Sequence, residues 1–543
     1  MPTYFVVRSF RILLLTPAFL LVFLPAAVLR RPSGPTVLRW YLQTCGGVFT
    51  KLGQFLAMRY DLLPVTYCQE LSRLLDRLPP IPLARLVPVI ERDIGRPVAD
   101  AFANLDPVAI GSASLAQVHR ATLPGGEQVV IKVMRPDTER RFRTDFVYMR
   151  GYAWILEHVP FIDRGIAGII REVIALTSRE LDFRREAQNM VEMRQLMLED
   201  DIDHDAPLLY PRLSGAHTIT MEFIEGVSIS QMLRAVDAKD TQSLATWAEQ
   251  NITPRRAAHL ILRSVLEQTM HHRQFQADPH ASNMIMRPGG TLSWLDFGVM
   301  GWLDERLWHQ QLSLRVAIAE QRLQRAAEIL VSMFAPVSRS QLERFEHDVK
   351  EDLRDWVRAT RSPMATISEK STGLLFLNVM RASQRAGMRI PTGLTSLIRT
   401  IMVADVITLR LDPDLDWLPS MQAFIREEQR RQAESLIRES LSLSYASDLM
   451  RLYLGAAPAA LMLIDAANAT VPRLTRLFGD EPSRLEQALL VFLRYLRLAG
   501  VMVALGGVAA WVTGTWTDLF AAGLIGMGLL TAWVLNRVIR LYR

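Results

Sequence analysis

The stretch QADPHASNMIM (residues 276–286), with LDFG (residues 295–298) just beyond it, decides how this chain reads. Asp278 and Asn283 stand five residues apart, and Asp296 follows Asn283 by thirteen. Upstream, VVIKV (residues 129–133) sets Lys132 in a short β-branched run with the character of a buried strand. Phosphoryl transfer calls for these residue types: a fixed cation on the α/β-phosphates, oxygen ligands for Mg²⁺, and a carboxylate near the acceptor. Lys132 is the candidate cation and Asp278 the candidate catalytic carboxylate, while Asn283 and Asp296 are candidate metal ligands. A lone Asp-Phe-Gly would say little, but three elements in this order and at this spacing say a good deal. His280 is expected to make a loop hydrogen bond, because imidazole is a poor partner for hard Mg²⁺.

The same order and spacing occur in protein kinases. FTKLGQFLAMRYDLLP (49–64), PVAIGSASLAQVHRA (107–121), RELDFRREAQN (179–189) and QADPHASNMIM together resemble the UbiB family of atypical, protein-kinase-like ATPases, over roughly residues 35–415. The resemblance implies ATP and Mg²⁺ as cofactors and a place in ubiquinone biosynthesis and lipid homeostasis. It implies that Glu186 is the partner of Lys132, and that an ExD motif at Glu180 and Asp182 meets Lys51 of the KxGQ motif (Lys51, Gly53, Gln54). The KxGQ helix would then form a lid that blocks peptide access. Where the family usually carries His-Pro-Gly-Asn, this chain has His280-Ala281-Ser282-Asn283, and Gly111 replaces the commonest Ala.

Read by themselves, these residues have plainer alternatives. A lysine in an apolar strand either pairs or snorkels to solvent, since an unpaired ammonium there is costly. Asp182 and Glu186, at i and i+4, would face one way on a helix and repel by a few tenths of a kcal/mol unless Arg184 and Arg185 answer them. Gly53 in a helix interior is unfavourable by about 1 kcal/mol relative to Ala, so a close helix approach is expected there. Gly111, Ser112, Ala113, Ser114, Leu115, Ala116, Gln117 and Val118 stand where a kinase has its glycine-rich loop, and are expected to hold ATP on a stiffer backbone. They lead into a hairpin of strands near 115–122 and 127–134 with its turn at Pro124-Gly125-Gly126. ITMEFIEG (219–226) reads as a strand ending in a Gly turn, the place of an adenine-carrying hinge, with Glu222 as the candidate contact.

At 543 residues the chain exceeds the size of a single core. Half of it is hydrophobic although 22% is charged, and the apolar excess gathers at the two ends. Two cysteines, Cys45 and Cys68, argue against a disulfide framework, and the net charge of +6 forms no basic stripe, so nucleic acid is excluded as a partner. Residues 12–29 are uncharged, hold Pro17 and Pro25, and sit between arginines. A secretory signal would separate the nucleotide site from its ATP, so a membrane-embedded or interfacial helix is expected. Residues 498–517 and 519–536 are each uncharged and long enough to span a hydrocarbon core of about 30 Å. Arg494 and Arg497 precede the pair and Arg537, Arg540 and Arg543 follow it, which places both ends on the cytoplasmic side.

The expectation is an α+β fold with a bilobal protein-kinase-like core, an N-terminal helical lid, a mostly helical C-terminal region and a C-terminal transmembrane helix hairpin. The divisions are 1–35 (apolar, membrane-associated), 36–100 (KxGQ extension, helical from about Val37 to Ala84), 101–330 (ATP-binding core), 331–490 (helical region) and 491–543 (hairpin). The corresponding function is a membrane-anchored Mg-ATPase or phosphotransferase supporting isoprenoid-quinone biosynthesis, acting on a small or lipid-like substrate. Its expected partners are the lipid bilayer and quinone-biosynthesis enzymes or intermediates. Its expected place is a bacterial inner membrane, or an organellar inner membrane in a eukaryote, with the core on the ATP-containing side. A non-catalytic, ATP-binding scaffold is the rival. A protein kinase acting in trans is disfavoured, because HRD, a Gly-rich loop and an APE segment are all missing.

Overall fold

The structure, a computed structural model, describes residues 2–28, 33–57, 63–74, 78–158, 164–334, 339–362, 364–388 and 391–440. Residues 1–432 form one compact unit and residues 433–543 a second. The expected hairpin at 498–517 and 519–536 lies outside the described residues. Among the described residues, no helix is long and apolar enough to cross a membrane.

The smaller lobe is an antiparallel sheet in the order β1 (Asn104–Ser112), β2 (Ala116–Thr122), β3 (Gln128–Met134), β5 (Thr218–Glu222). Alternation along β3 explains its place. Val129, Ile131 and Val133 are fully buried against Leu86, Ile90 and Phe102, whereas Val130, Lys132 and Met134 face the cleft side. β1 was not expected as a strand, because Pro107 and Gly111 read as loop. It is an edge strand with register shifts between Leu105, Ala109 and Gly111, where proline's missing donor is tolerated.

Two small sheets, one of four strands and one of two, complete the strand content of the described residues. β4 (His204–Asp205), β9 (Leu292–Trp294), β8 (Met284–Met286) and β6 (Val227–Ser228) form one sheet, and β7 (Gln274–Gln276) pairs with β10 (Met300–Trp302). These small ladders frame the two loops that carry Asp278, Asn283 and Asp296. Among the described residues, the other regular elements after β5 are helices, from Ile229–Ala238 to Trp417–Ser440.

The N-terminal extension is not one continuous helical run. Gly34–Cys45, Val48–Leu56 and Val65–Leu71 are separate helices. Gly46 and Gly47, with φ of 65° and 59°, turn the chain between the first two, and a Cβ at Gly47 would lie 2.5 Å from Asp145 Oδ2. The helices Thr138–His158, Arg164–Glu180 and Phe183–Glu199 follow β3. The first two share an apolar core with the extension, including Phe142, Met149 and Ile169 against Val48, Phe49 and Leu52.

Helix Pro2–Val28 joins that core through Ile12 and Phe19, with Phe19 stacked on Tyr41 at 4.2 Å. Arg8 pins its start to the buried Asp145 carboxylate at 2.8 Å. Phe10, Leu14, Leu21 and Val22 are exposed on this helix.

Candidate functional site

Lys132 leaves the cleft face of β3 and donates to Glu186 Oε1 at 2.5 Å, with Asp296 Oδ2 3.8 Å away. Glu186 stands in the first turn of helix Phe183–Glu199, whose N-terminus is capped by Asp182. Burial alone would lower the Lys132 ammonium, but Asp296 and Glu186 outweigh it and hold it above its usual range. Burial pushes Glu186 upward despite Lys132. Burial also works against the Asp296 carboxylate, yet Lys132, the Gly298 N–H at 2.8 Å and Lys51 together keep it below its ordinary value.

Lys51 arrives from helix Val48–Leu56 and donates to Glu180, with 16% and 19% of the two side chains exposed. The resulting group is Lys51, Glu180, Lys132, Glu186 and Asp296: two cations facing three carboxylates. Of the expected ExD pair, Glu180 meets Lys51, while Asp182 is engaged by the Arg184 side chain at 2.8 Å and by its backbone N–H. The reason is local: an N-cap carboxylate is already aimed at its own helix. Gly53 lies where a Cβ would sit 2.2 Å from Leu74 Cδ1 and 3.0 Å from Leu42 Cδ1, so the expected close helix approach is present. The Gln54 amide reaches the Leu74 carbonyl at 3.4 Å.

Residues 111–118 form the β1–β2 hairpin end, closed by the Ala113 N–H on the Ala116 carbonyl at 2.9 Å. Gly111 and Ser112 end β1, while Ala116, Gln117 and Val118 begin β2, so Ala113, Ser114 and Leu115 alone are the turn. Arg135 holds this turn, donating to the Ala113 carbonyl at 2.8 Å and the Pro79 carbonyl at 2.7 Å. Ser112 Oγ donates to the Leu78 carbonyl at 2.9 Å. The loop is therefore tied down on its outer side.

Ser114 Oγ is buried with no partner among the described residues. Gln117, expected in the nucleotide loop, turns the other way. Its buried amide bonds the Ile81 backbone in both directions at 2.9 Å, together with His119 at 2.8 Å. Strand alternation puts Gln117 and His119 on the face opposite Ala116 and Val118. Glu222, at the end of β5, accepts from Arg287 at 2.9 Å and from the Leu208 N–H at 3.1 Å, and so fastens those two segments to the strand.

Asp278 is 37% exposed and accepts from Arg399 Nη2 at 2.6 Å. Arg399, on helix Thr392–Leu411, was missed by sequence reasoning; a lone arginine in an apolar run 121 residues away carries no motif. Gln276 joins the two loops, accepting from the Asp278 N–H at 3.1 Å and donating to the Asp296 carbonyl at 3.0 Å. Asn189 was also missed. Its amide donates to the Phe297 carbonyl at 2.9 Å and so fastens the LDFG turn to the Glu186 helix. His280 makes the expected loop bond, with Ser282 at 2.9 Å, and the Asn283 N–H closes the turn on the His280 carbonyl at 2.8 Å.

No cluster of three or more His, Cys, Asp or Glu suited to a metal occurs among the described residues. Mg²⁺ fits such a site on different terms, since one or two protein oxygens suffice when nucleotide phosphates complete its shell. Asn283 and Asp296 would supply that oxygen set, and the excess of one carboxylate over the two lysines favours a cation. The Ser114 hydroxyl, without a partner among the described residues, would be the loop's polar group for a phosphate or ribose.

Residues 73–330 match the family model described as the ABC1 atypical kinase-like domain. An aarF domain-containing chloroplastic protein kinase of Arabidopsis thaliana is 27% identical over 418 residues, covering 73% of this chain and 75% of its own. A probable protein kinase UbiB of Xanthomonas campestris pv. campestris is 30% identical over 443 residues, covering 76% of this chain and 75% of its own. The solved Rv3197–erythromycin complex from Mycobacterium tuberculosis gives a TM-score of 0.47 at 18% identity, covering 68% of this chain and 86% of that one.

Proposed function

Because the chain belongs to the ABC1 atypical kinase-like family, to which UbiB protein kinases are similar throughout the core, we propose that it is a membrane-associated, Mg-ATP-dependent phosphotransferase or ATPase supporting isoprenoid-quinone biosynthesis. The observation that carries this reading is the Lys132–Glu186–Asp296 cluster beneath the Lys51–Glu180 pair. Lys132, oriented by Glu186, would contact the α/β-phosphates, and Asp278 would accept the proton of the attacking hydroxyl or water. Asn283 and Asp296 would hold Mg²⁺, which neutralises charge on the transferring phosphoryl group. The Lys51–Glu180 contact would keep the KxGQ helix over the cleft, which favours a small or lipid-like acceptor over a peptide.

Membrane association is supported by the exposed Phe10, Leu14, Leu21 and Val22 on the first helix and by the two apolar runs at 498–517 and 519–536. One observation favours a second reading, an ATP-binding scaffold: Asp278 is engaged by Arg399. ATPase turnover of the full chain, with and without membranes, separates the two. Turnover lost in Asp278→Asn supports catalysis, whereas nucleotide binding with no turnover in either protein supports the scaffold. Quinone content of a deletion strain tests the pathway, and unchanged quinone levels would refute that part. Truncation at residue 496 followed by carbonate extraction tests anchoring; a truncated chain that stays in the pellet refutes the hairpin as the anchor.

A further inference from the structure

Away from the nucleotide cleft, the helical region encloses a second site. Helices Glu305–Ala319, Thr372–Arg385, Thr392–Leu411 and Trp417–Ser440 contribute to the wall of an apolar cavity of about 60 Å³. Its lining is aliphatic and aromatic apart from Gln311, Arg315, Thr372 and Trp417. Each of these four carries a buried polar atom with no hydrogen-bond partner among the described residues: both terminal nitrogens of Arg315, Gln311 Oε1, Thr372 Oγ1 and Trp417 Nε1. Arg315 is 6% exposed, and burial lowers its guanidinium to about 10.

An unpaired guanidinium in an apolar wall is heavily penalised, and buried polar groups elsewhere in proteins nearly always find partners. Several other buried charges of this chain are paired. Asp145 has Arg8, Glu186 has Lys132, and Glu267 has Arg431 at 3.0 Å. Arg315 is set apart from them. The donors around it, the guanidinium, the Trp417 N–H and the Thr372 hydroxyl, are those that an oxyanion needs.

The shape supplies the rest. A larger groove of about 420 Å³ adjoins the cavity, with Trp356 and Leu375 lining both. Asp352, Asp355 and Glu369 line that groove against a single cation, Arg358, and this acidic balance disfavours a negative head there and favours it at Arg315. An inorganic anion would answer the charge but leave the aliphatic lining without a partner. We propose that the cavity binds a single-chain amphiphile ending in an oxyanion, of the long-chain carboxylate class, with its head on Arg315 and its chain running past Ile398 and Leu375 toward the groove. The site backs onto the helix whose Arg399 holds Asp278, but it does not depend on the reading of the nucleotide cleft.

The test is titration of the full chain, in a non-ionic detergent, with the fluorescent fatty acid cis-parinarate, followed by competition with oleate. Wild type should bind saturably and release the probe to oleate, while oleyl alcohol, equal in chain but uncharged, should compete at least about ten-fold less well. Arg315→Met keeps the volume and removes the charge. It should weaken binding by at least about ten-fold and melt no lower than wild type without ligand, since no ion pair is broken. Ile398→Trp, which fills the cavity with Arg315 intact, should abolish binding and guards against a misfolded Arg315 variant. Equal affinity in wild type and either variant, or no saturable binding, overturns the proposal. So does stabilisation by chloride or bicarbonate without parinarate binding, which would make the partner an inorganic anion.

Discussion

Replacing Lys51 with Ala tests the lid most directly. The Lys51–Glu180 pair is about one-sixth exposed on each side, between two limits of known size. A surface pair contributes about 0–1 kcal/mol, whereas removing one partner of a buried pair costs about 3–5 kcal/mol. Each single change, Lys51→Ala or Glu180→Ala, should therefore cost about 2 kcal/mol, and the double change less than their sum by about 1 kcal/mol. The electrostatic consequence reaches farther. Lys51 helps to hold Asp296 below its ordinary range, so its loss leaves Lys132 alone against three carboxylates. Lys51→Ala should accordingly change nucleotide affinity and permit autophosphorylation as the helix loosens, with lost function in cells. Denaturant titration of the four proteins gives the coupling energy; labelled ATP gives binding and autophosphorylation. Additive stabilities with unchanged nucleotide affinity and full complementation would refute the lid and leave the helix a packing element.

Four other changes have definite outcomes. Asp296→Asn should abolish Mg-dependent ATP hydrolysis with the fold intact, read by turnover beside circular dichroism; unchanged turnover would sink the kinase-like assignment. Arg399→Ala removes the one-third-exposed partner of Asp278, so stability should move by less than about 1 kcal/mol while kcat falls about ten-fold at constant KM for ATP. Gly53→Ala should destabilise by about 1 kcal/mol in urea, since crowding against Leu74 and Leu42 exceeds the gain in helix propensity.

Asp405 supplies a pH dependence. It is buried, and its carboxyl is pushed up to about 6 by burial although Ser371 and Thr372 donate to it. An acid raised on folding holds its proton longer folded than unfolded, so stability falls as pH climbs from its ordinary range through 6. Asp405→Asn should remove that loss, on the order of 3 kcal/mol between pH 4 and 7. A stability difference between the two proteins that is flat across this window would contradict the assignment.

Much of the cleft was legible in the linear order of residues because phosphoryl-transfer chemistry restricts both residue type and spacing. Lys132 in its β-branched strand, Glu186 on a helix, and Asp278, Asn283 and Asp296 on two short loops are local facts, and the ladders that frame those loops follow from short apolar runs. Gly53 was legible for a similar reason, since its penalty in a helix demands a close neighbour. Contacts made across long separations were another matter. That Glu180 rather than Asp182 receives Lys51 depends on where a helix begins. That Gln117 fastens the Ile81 segment depends on which face of β2 it takes, and β1 exists because an edge strand can absorb Pro107. Arg399 on Asp278 and the unpartnered Arg315 follow from helices packed far downstream, and neither residue carries any local signal. Spacing along a chain records which chemistry is possible; only packing decides which charges meet, because an ion pair between distant elements is set by their relative placement and not by either sequence segment alone.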